Sequence, residues 1–187
     1  MARWKPDAQG RLTKAALALF DQQGYDETTI ADIASSAGLT KRTFFRYFAD
    51  KREVLFSGAE ELERLWVTSV QEAPEGVSAL AVVGISLDAV AEMFVERHPF
   101  VQIRARIIAT NPELQERELI KLERLASSLA ASFEGRGVNP MAAALAAQTS
   151  VRVFHTAFVR WIAQEDPAAL RGFMHEALDE LKELLAT

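Results

Sequence analysis

The sequence contains no cysteine, which excludes disulfides, thiolate nucleophiles and cysteine-ligated metal sites. It has no apolar run approaching the about 18 residues of a membrane span, and its start, MARWKPDAQGRL, lacks the apolar stretch of a secretory signal. We therefore expect a cytoplasmic protein with no membrane partner. Strand-like alternation between hairpin turns is also lacking, so helices are the expected elements.

Patterns typical of catalysis are scarce as well. The pair His175-Glu176 lacks the second histidine of a zinc-protease helix, and the other two histidines, His98 and His155, are far away in sequence. The Gly135-Arg136-Gly137 turn follows a predicted helix rather than a strand, which argues against a phosphate-binding loop. We expect no enzyme activity, no cofactor and no metal.

The net charge of −5 is unevenly distributed along the chain. Residues 1–56 carry nine Lys and Arg against seven Asp and Glu, whereas residues 57–187 carry twelve against nineteen. Within the first part, residues 40–52 hold five cations and one carboxylate. Such a local basic patch is typical of a nucleic-acid contact, and its alternative is a solvated helix face.

Apolar residues recur with helical spacing throughout the chain, which predicts an all-α fold. About nine helices fit the pattern, at roughly 7–23, 29–37, 40–48, 51–72, 76–97, 99–109, 112–134, 140–164 and 167–185. The helix from residue 51 is expected to join an N-terminal three-helix region directly to a C-terminal helical region.

Residues 28–48 predict a helix-turn-helix. Thr29 can cap a helix with Asp32 as a capping box, Gly38 can end that helix in the left-handed conformation, and Thr40 can cap the next one. In the following helix, Phe44 points towards the core, while Arg42 and Arg46 lie on the opposite face. Arginine can pair with guanine, and Thr or Phe can contact thymine methyl groups, so this face suits base recognition. The residues expected to read bases are Lys41, Arg42, Thr43 and Arg46. Thr40 and Phe45 are expected among the other DNA contacts.

This segment resembles the TetR family of DNA-binding regulators. The residues that carry the resemblance, in unbroken order, are Thr29, Ile33, Ala34, Ala37, Gly38, Leu39, Thr40, Thr43, Phe44, Phe45, Tyr47, Phe48, Lys51, Glu53 and Leu55. Three positions depart from the family pattern, which commonly has tyrosine at Phe45, histidine at Tyr47 and a small residue at Arg42. The resemblance implies phosphate contacts from Thr28, Thr29, Tyr47 and Lys51.

The resemblance also implies a homodimer that binds a near-palindromic operator and is released by a ligand. It implies a helix-turn-helix domain at residues 1–50 and a ligand-binding and dimerisation domain at residues 51–187. The predicted helix 140–164 is apolar over more than one stripe, and the last helix has one continuous apolar face. Together they favour a four-helix interface with a second copy; the alternative is burial within a monomer. The expected interface residues are Val153, Phe154, Ala157, Trp161, Phe173, Met174, Ala177 and Leu181.

A ligand pocket is expected among the middle helices, although each apolar residue there also suits an ordinary core. The segment 104–125 resembles an effector domain of actinobacterial regulators, which implies an apolar or amphipathic effector. The candidate lining residues are Trp66, Val70, Leu87, Phe94, Ile103, Arg104, Ile107, Leu122, Leu125, His155 and Phe158. Two alternatives stay open: an adaptor whose helix-turn-helix meets a protein, and a DNA binder without a ligand.

Overall fold

The structure of the chain is a computed structural model that describes residues 7–186. These residues form ten α-helices and no strand. The helices are α1 Ala8–Gln23, α2 Ile30–Ser36, α3 Lys41–Tyr47, α4 Lys51–Leu55, α5 Ala59–Gln71, α6 Ala79–Val95, α7 His98–Ala109, α8 Pro112–Gly135, α9 Pro140–Trp161 and α10 Ala169–Ala186. The predicted all-α class is therefore confirmed, with one helix more than the sequence pattern indicated.

The additional helix arises because the predicted helix 51–72 is interrupted. Its first part, α4, ends at Leu55, and α5 begins at Ala59 after a turn. Phe56 is buried in this turn, and the Arg104 guanidinium lies 5.0 Å from the centre of its ring while donating to the Leu55 carbonyl at 2.6 Å. The prediction of one continuous helix between the two regions is therefore wrong. Contacts of Arg104 with the Leu55 carbonyl and the Phe56 ring hold the chain in a turn at this point.

The chain divides into two compact units. The first contains the residues up to Gly58 together with Ile103–Gln115, and the second contains Ala59–Gln102 together with the residues from Glu116 onwards. Two helices, α7 and α8, therefore contribute residues to both units. No helix among residues 7–186 is long and apolar enough to cross a membrane.

The first unit has its own apolar core. Helices α1 to α4 supply most of it, and the chain returns to complete it with Ile107, Ile108 and Leu114. The short helices α2 and α3 contribute Ile33 and Phe44, both fully buried. Isolated helices of this length are unstable in water, so their positions depend on this packing and on their capping bonds.

The second unit is built around α5, α6, α8, α9 and α10. Trp66, at the centre of its core, is fully buried and donates its indole N–H to the buried Ser86 hydroxyl at 3.0 Å. Aromatic rings continue from Trp66 through Phe154 to Phe94 and Phe158, with neighbouring ring centres 5.3–5.7 Å apart. This unit therefore has an aromatic centre rather than a purely aliphatic one.

Candidate functional site

The N-terminus of α2 is fixed by the predicted capping box. The Thr29 hydroxyl oxygen accepts from the Asp32 N–H at 3.2 Å, and the Asp32 carboxylate accepts from the Thr29 N–H at 3.0 Å and from its hydroxyl at 2.6 Å. Hydrogen bonds from the Thr29 side chain and then from its backbone hold the pKa of Asp32 below its usual value. The sequence prediction of this cap is confirmed.

The turn between α2 and α3 has the predicted geometry. Gly38 adopts φ +64°, a conformation that side chains disfavour, and the N–H groups of Gly38 and Leu39 bond back to carbonyls of α2. The Thr40 hydroxyl then accepts from the Thr43 N–H at 3.1 Å, capping α3. Leu39 is partly buried in the same core as Phe44, so both ends of the turn are held by packing.

Helix α3 separates a buried face from an exposed one. Phe44 is fully buried and Phe48 nearly so, with ring centres 5.4 Å apart. Phe45 is 55% exposed although its ring meets Phe44 edge-on at 5.6 Å. The remaining exposed side chains of this helix are Lys41, Arg42 and Arg46. An exposed aromatic ring among three cations, which we call the α3 basic face, therefore lies opposite the core.

Two side-chain pairs pre-organise the α3 basic face. The Arg46 guanidinium donates to the Tyr47 hydroxyl at 3.0 Å and lies 4.9 Å from the centre of its ring. The Thr40 and Thr43 hydroxyls are 3.0 Å apart. Because the Tyr47 oxygen accepts from Arg46, the Tyr47 hydroxyl proton is free to donate to another acceptor, such as a phosphate oxygen.

Two residues implied as phosphate contacts are instead bonded within the first unit. Thr28 is 1% exposed, and its hydroxyl donates to the Gly24 carbonyl at 2.7 Å. The Lys51 ammonium donates to the backbone carbonyls of Tyr25, Asp26 and Thr28 at 2.7, 3.1 and 3.2 Å. This geometry does not support phosphate contacts by Thr28 and Lys51, because the donors of both side chains are already used.

The Lys51 site also includes the Tyr25 ring, whose centre lies 4.3 Å from the ammonium. Burial, and then the negative charge of Asp50, raise the pKa of Tyr25 to about 12, so this side chain is neutral at physiological pH. A neutral ring attracts the ammonium through its π face. The sequence could not predict this site from its side chains, because the acceptors of the Lys51 ammonium are backbone carbonyls.

The candidate pocket residues are divided between the two units. Ile103, Arg104 and Ile107 belong to the first unit, where Ile107 is part of the core and Arg104 is bonded to the Leu55 carbonyl. The others belong to the second unit: Trp66, Val70, Leu87, Phe94, Leu122, Leu125, His155 and Phe158. Of these, all but the half-buried His155 pack in the core of that unit.

The sequence analysis considered His98 only as a possible metal ligand and did not select it as a site residue. His98 is 4% exposed, and its ring meets Trp161 edge-on with centres 4.5 Å apart. Its Nε2 atom is buried and has no hydrogen-bond partner within residues 7–186. An unsatisfied buried polar atom costs about 1–3 kcal/mol, so this atom is a candidate contact for a polar group of a ligand.

The candidate interface residues divide into those that line a surface groove and those that do not. Phe154, Trp161 and Met174 are buried in the core of their own chain and do not line the groove. The other five line a groove of about 540 Å³ between α9 and α10: Val153 and Ala157, which are also buried, and Phe173, Ala177 and Leu181, which are partly exposed. The groove also includes the exposed Leu145 and Leu184, which sequence reasoning did not select.

Family models match most of the chain. Residues 12–57 match the model of bacterial regulatory proteins of the tetR family, and residues 77–186 match the MftR C-terminal domain. The first match contains the helix-turn-helix described above, and the second covers more than half of the chain.

Among curated relatives, the regulator TcmR of Streptomyces glaucescens is 36% identical over 70 residues, covering 37% of this chain and 31% of TcmR. MftR of Mycobacterium tuberculosis is 28% identical over 108 residues, covering 56% of this chain and 52% of MftR. The matched regions thus span about a third to a half of the length of these relatives.

Solved structures share the fold over nearly the whole chain. A TetR-family structure from Syntrophomonas wolfei has a TM-score of 0.71 at 17% identity, covering 97% of this chain and 96% of that chain. Thermus thermophilus FadR, a TetR-family repressor in complex with lauroyl-CoA, has a TM-score of 0.60 at 21% identity, covering 94% and 93%. The chain belongs to the tetR family of bacterial regulatory proteins.

Proposed function

We propose that the chain is a sequence-specific DNA-binding transcriptional regulator that represses as a homodimer in the cytoplasm. The observation that carries the proposal is the α3 basic face, where Lys41, Arg42, Phe45 and Arg46 are all exposed on a helix fixed by its caps. A helix presented in this way fits the major groove, where its cations and ring meet base edges. The proposed phosphate contact is Tyr47, whose hydroxyl proton is free to donate. The hydroxyl and the backbone N–H of Thr29 both donate to the Asp32 carboxylate, so Thr29, like Thr28 and Lys51, has no donor left for a phosphate.

The charge distribution supports the same proposal. Residues 40–52, which include the α3 basic face, carry five cations and one carboxylate, whereas residues 57–187 carry twelve cations and nineteen carboxylates. Attraction of a polyanion is therefore favoured at α3, the proposed recognition helix.

The test is selection of bound sequences from random duplex DNA. We expect a near-palindrome whose half-sites are about one helical turn apart, which places the recognition helices about 34–36 Å from each other. Affinity for the selected duplex should fall steeply with salt, and a duplex with scrambled half-sites should bind orders of magnitude more weakly. Selected sequences without inverted symmetry, or binding equal for the scrambled duplex, would contradict the proposal.

We further propose that an amphipathic acyl compound releases the chain from DNA by binding in the second unit. Three observations support this: the lauroyl-CoA held by the structurally similar FadR, the aromatic centre around Phe94 and Phe158, and the unpartnered Nε2 of His98. The acyl chain would pack on the aromatic rings, and a carbonyl or hydroxyl oxygen would meet the His98 N–H.

Lauroyl-CoA is the probe for this effector proposal, with free coenzyme A as the control. We expect lauroyl-CoA alone to release the selected duplex, and His98→Phe to raise the concentration required about tenfold without changing DNA affinity. His175→Phe, on the exposed surface, is the matched control and should respond like the unmodified chain. If lauroyl-CoA and coenzyme A act alike, the acyl proposal fails while the DNA-binding proposal stands.

A further inference from the structure

We propose that Lys51 and Arg11 are positioning residues that hold the two ends of α2, and thereby orient α3, without contacting DNA phosphates. The inference rests on the proposed DNA-binding function and specifies how the helix-turn-helix is held for it. It gives Lys51 a role different from the phosphate contact that the family resemblance implies.

Lys51 fixes the segment that leads into α2. Its ammonium has three protons, and the structure supplies three carbonyl acceptors, from Tyr25, Asp26 and Thr28. The last of these immediately precedes Thr29, the N-cap of α2. The ammonium therefore connects the first residue of α4 to the entry of α2, and no proton remains for a phosphate.

Arg11 fixes the other end of α2. From the first turns of α1, its guanidinium nitrogen Nη2 donates to the carbonyl of Ala37, the C-cap residue of α2. The carbonyls at a helix C-terminus lack intrahelical donors, and a cation there also interacts favourably with the helix dipole. The same nitrogen lies 3.1 Å from the position that a Cβ on Gly38 would occupy, so Arg11 fills the space beside the turn.

These bonds matter because α2 and α3 are short and each buries few residues. Each helix has seven residues; the buried residues are Ile33 and Ala34 in α2 and Phe44 alone in α3. Small changes in the position of α2 would move α3 through the tight turn at Gly38. Base recognition depends on the orientation of α3, so loss of either bond should weaken DNA binding although neither cation lies on the α3 basic face.

The salt dependence of DNA binding separates positioning from phosphate contact. A cation that neutralises a phosphate releases counterions and contributes about 0.9 to the slope of log affinity against log salt. A cation bonded to backbone carbonyls contributes nothing to that slope. The variant Lys51→Arg gives a second criterion. At a phosphate, arginine can take the place of lysine, but its planar guanidinium cannot reproduce three hydrogen bonds from one ammonium nitrogen.

The experiment measures affinity for the selected duplex at several salt concentrations, using Lys51→Met, Lys51→Arg and Arg11→Met, with Lys41→Met as the control on the α3 basic face. We expect Lys51→Met and Arg11→Met to lower affinity at least tenfold with an unchanged slope. Lys51→Arg should bind the duplex as weakly as Lys51→Met. Lys41→Met should instead lower the slope of log affinity against log salt by up to about 0.9. An unchanged affinity, a lowered slope for Lys51→Met, or full rescue by arginine would overturn the positioning role of Lys51.

Hydrogen exchange in the absence of DNA provides the second measurement. We expect faster exchange in residues 24–29 for Lys51→Met and at residues 37–39 for Arg11→Met, with wild-type exchange in α9. Exchange identical to the unmodified chain would overturn the proposal even if affinity falls. If the unmodified chain binds no duplex, the proposed function fails, but this measurement still decides whether the two bonds hold α2.

Discussion

At the scale of single residues, the first unit uses many polar side chains to satisfy its own backbone. Asp32 and Thr40 accept from the N-termini of α2 and α3, and Asp50 accepts from two N–H groups of α4. Burial alone would raise the pKa of Asp50, but hydrogen bonds from Arg52 and Glu53 hold it below its usual value. The ionised carboxylates are therefore the forms that these caps require.

Asp32→Asn should lower the stability of the chain at neutral pH and reduce the loss of stability on acidification. The folded-state pKa of Asp32 lies below the usual value of about 4, so its contribution is present above that pH and is lost as the pH falls through the folded value. Melting temperatures at pH 7 and pH 3 measure both effects. Glu27→Gln, an exposed acidic residue of the same unit, is the control, and equal acid sensitivity in Asp32→Asn and the unmodified chain would contradict the prediction.

Arg42→Ala and Arg46→Ala should relax base preference at particular positions of the operator. A bidentate contact between arginine and guanine contributes about 1–3 kcal/mol of discrimination. Tyr47→Phe should reduce the base preference that Arg46 contributes, because it removes the hydroxyl to which the Arg46 guanidinium donates. Selection repeated with each variant gives the measurement, and Arg64→Ala, exposed on α5, should leave the selected sequence unchanged. Unaltered preferences in both α3 variants would show that this face does not read bases.

At the scale of elements, the sequence predicted the helices whose ends are fixed locally. Thr29, Gly38 and Thr40 fix the ends of α2 and α3 through bonds within a few residues, so their types and spacing were sufficient. The exposed face of α3 followed from helical periodicity. The interruption after Leu55 was not predictable in the same way, because it depends on Arg104, which is distant in sequence. The Lys51 contacts were hidden for a similar reason, since any residue can supply a carbonyl.

Two phenylalanines of the first unit should separate folding from recognition. Phe56, in the turn after α4, is 5% exposed, whereas Phe45 on α3 is 55% exposed. We expect Phe56→Ala to lower the free energy of unfolding by about 3–5 kcal/mol, and Phe45→Ala to change it by less than about 0.5 kcal/mol. Urea denaturation measures the stability of both variants. Phe45→Ala should remain fully folded but bind the selected duplex more weakly than the unmodified chain. Similar stability losses in the two variants would contradict the assignment of their faces.

At the scale of the whole molecule, α9 and α10 present an apolar surface that a single chain leaves exposed. Leu145 and Leu184 line the groove between these helices and are 65% and 73% exposed. The Arg160–Glu176 ion pair, 2.8 Å long, lies beside them. An apolar patch rimmed by charges is typical of a protein interface, and a copy of the same chain is the partner that the proposed palindromic operator would require.

Leu145→Glu and Leu184→Glu should therefore give folded monomers with weak DNA binding. Two linked recognition helices bind a palindrome far more tightly than one, because the second contact becomes intramolecular. We expect the unmodified chain to sediment as a dimer at micromolar concentration and to prefer the palindrome to a half-site at least a hundredfold. The variants should sediment as monomers and lose that preference, with helix content unchanged. Leu119→Glu, 59% exposed on α8, is the control; if it dissociates the dimer while the two groove variants do not, the interface lies elsewhere.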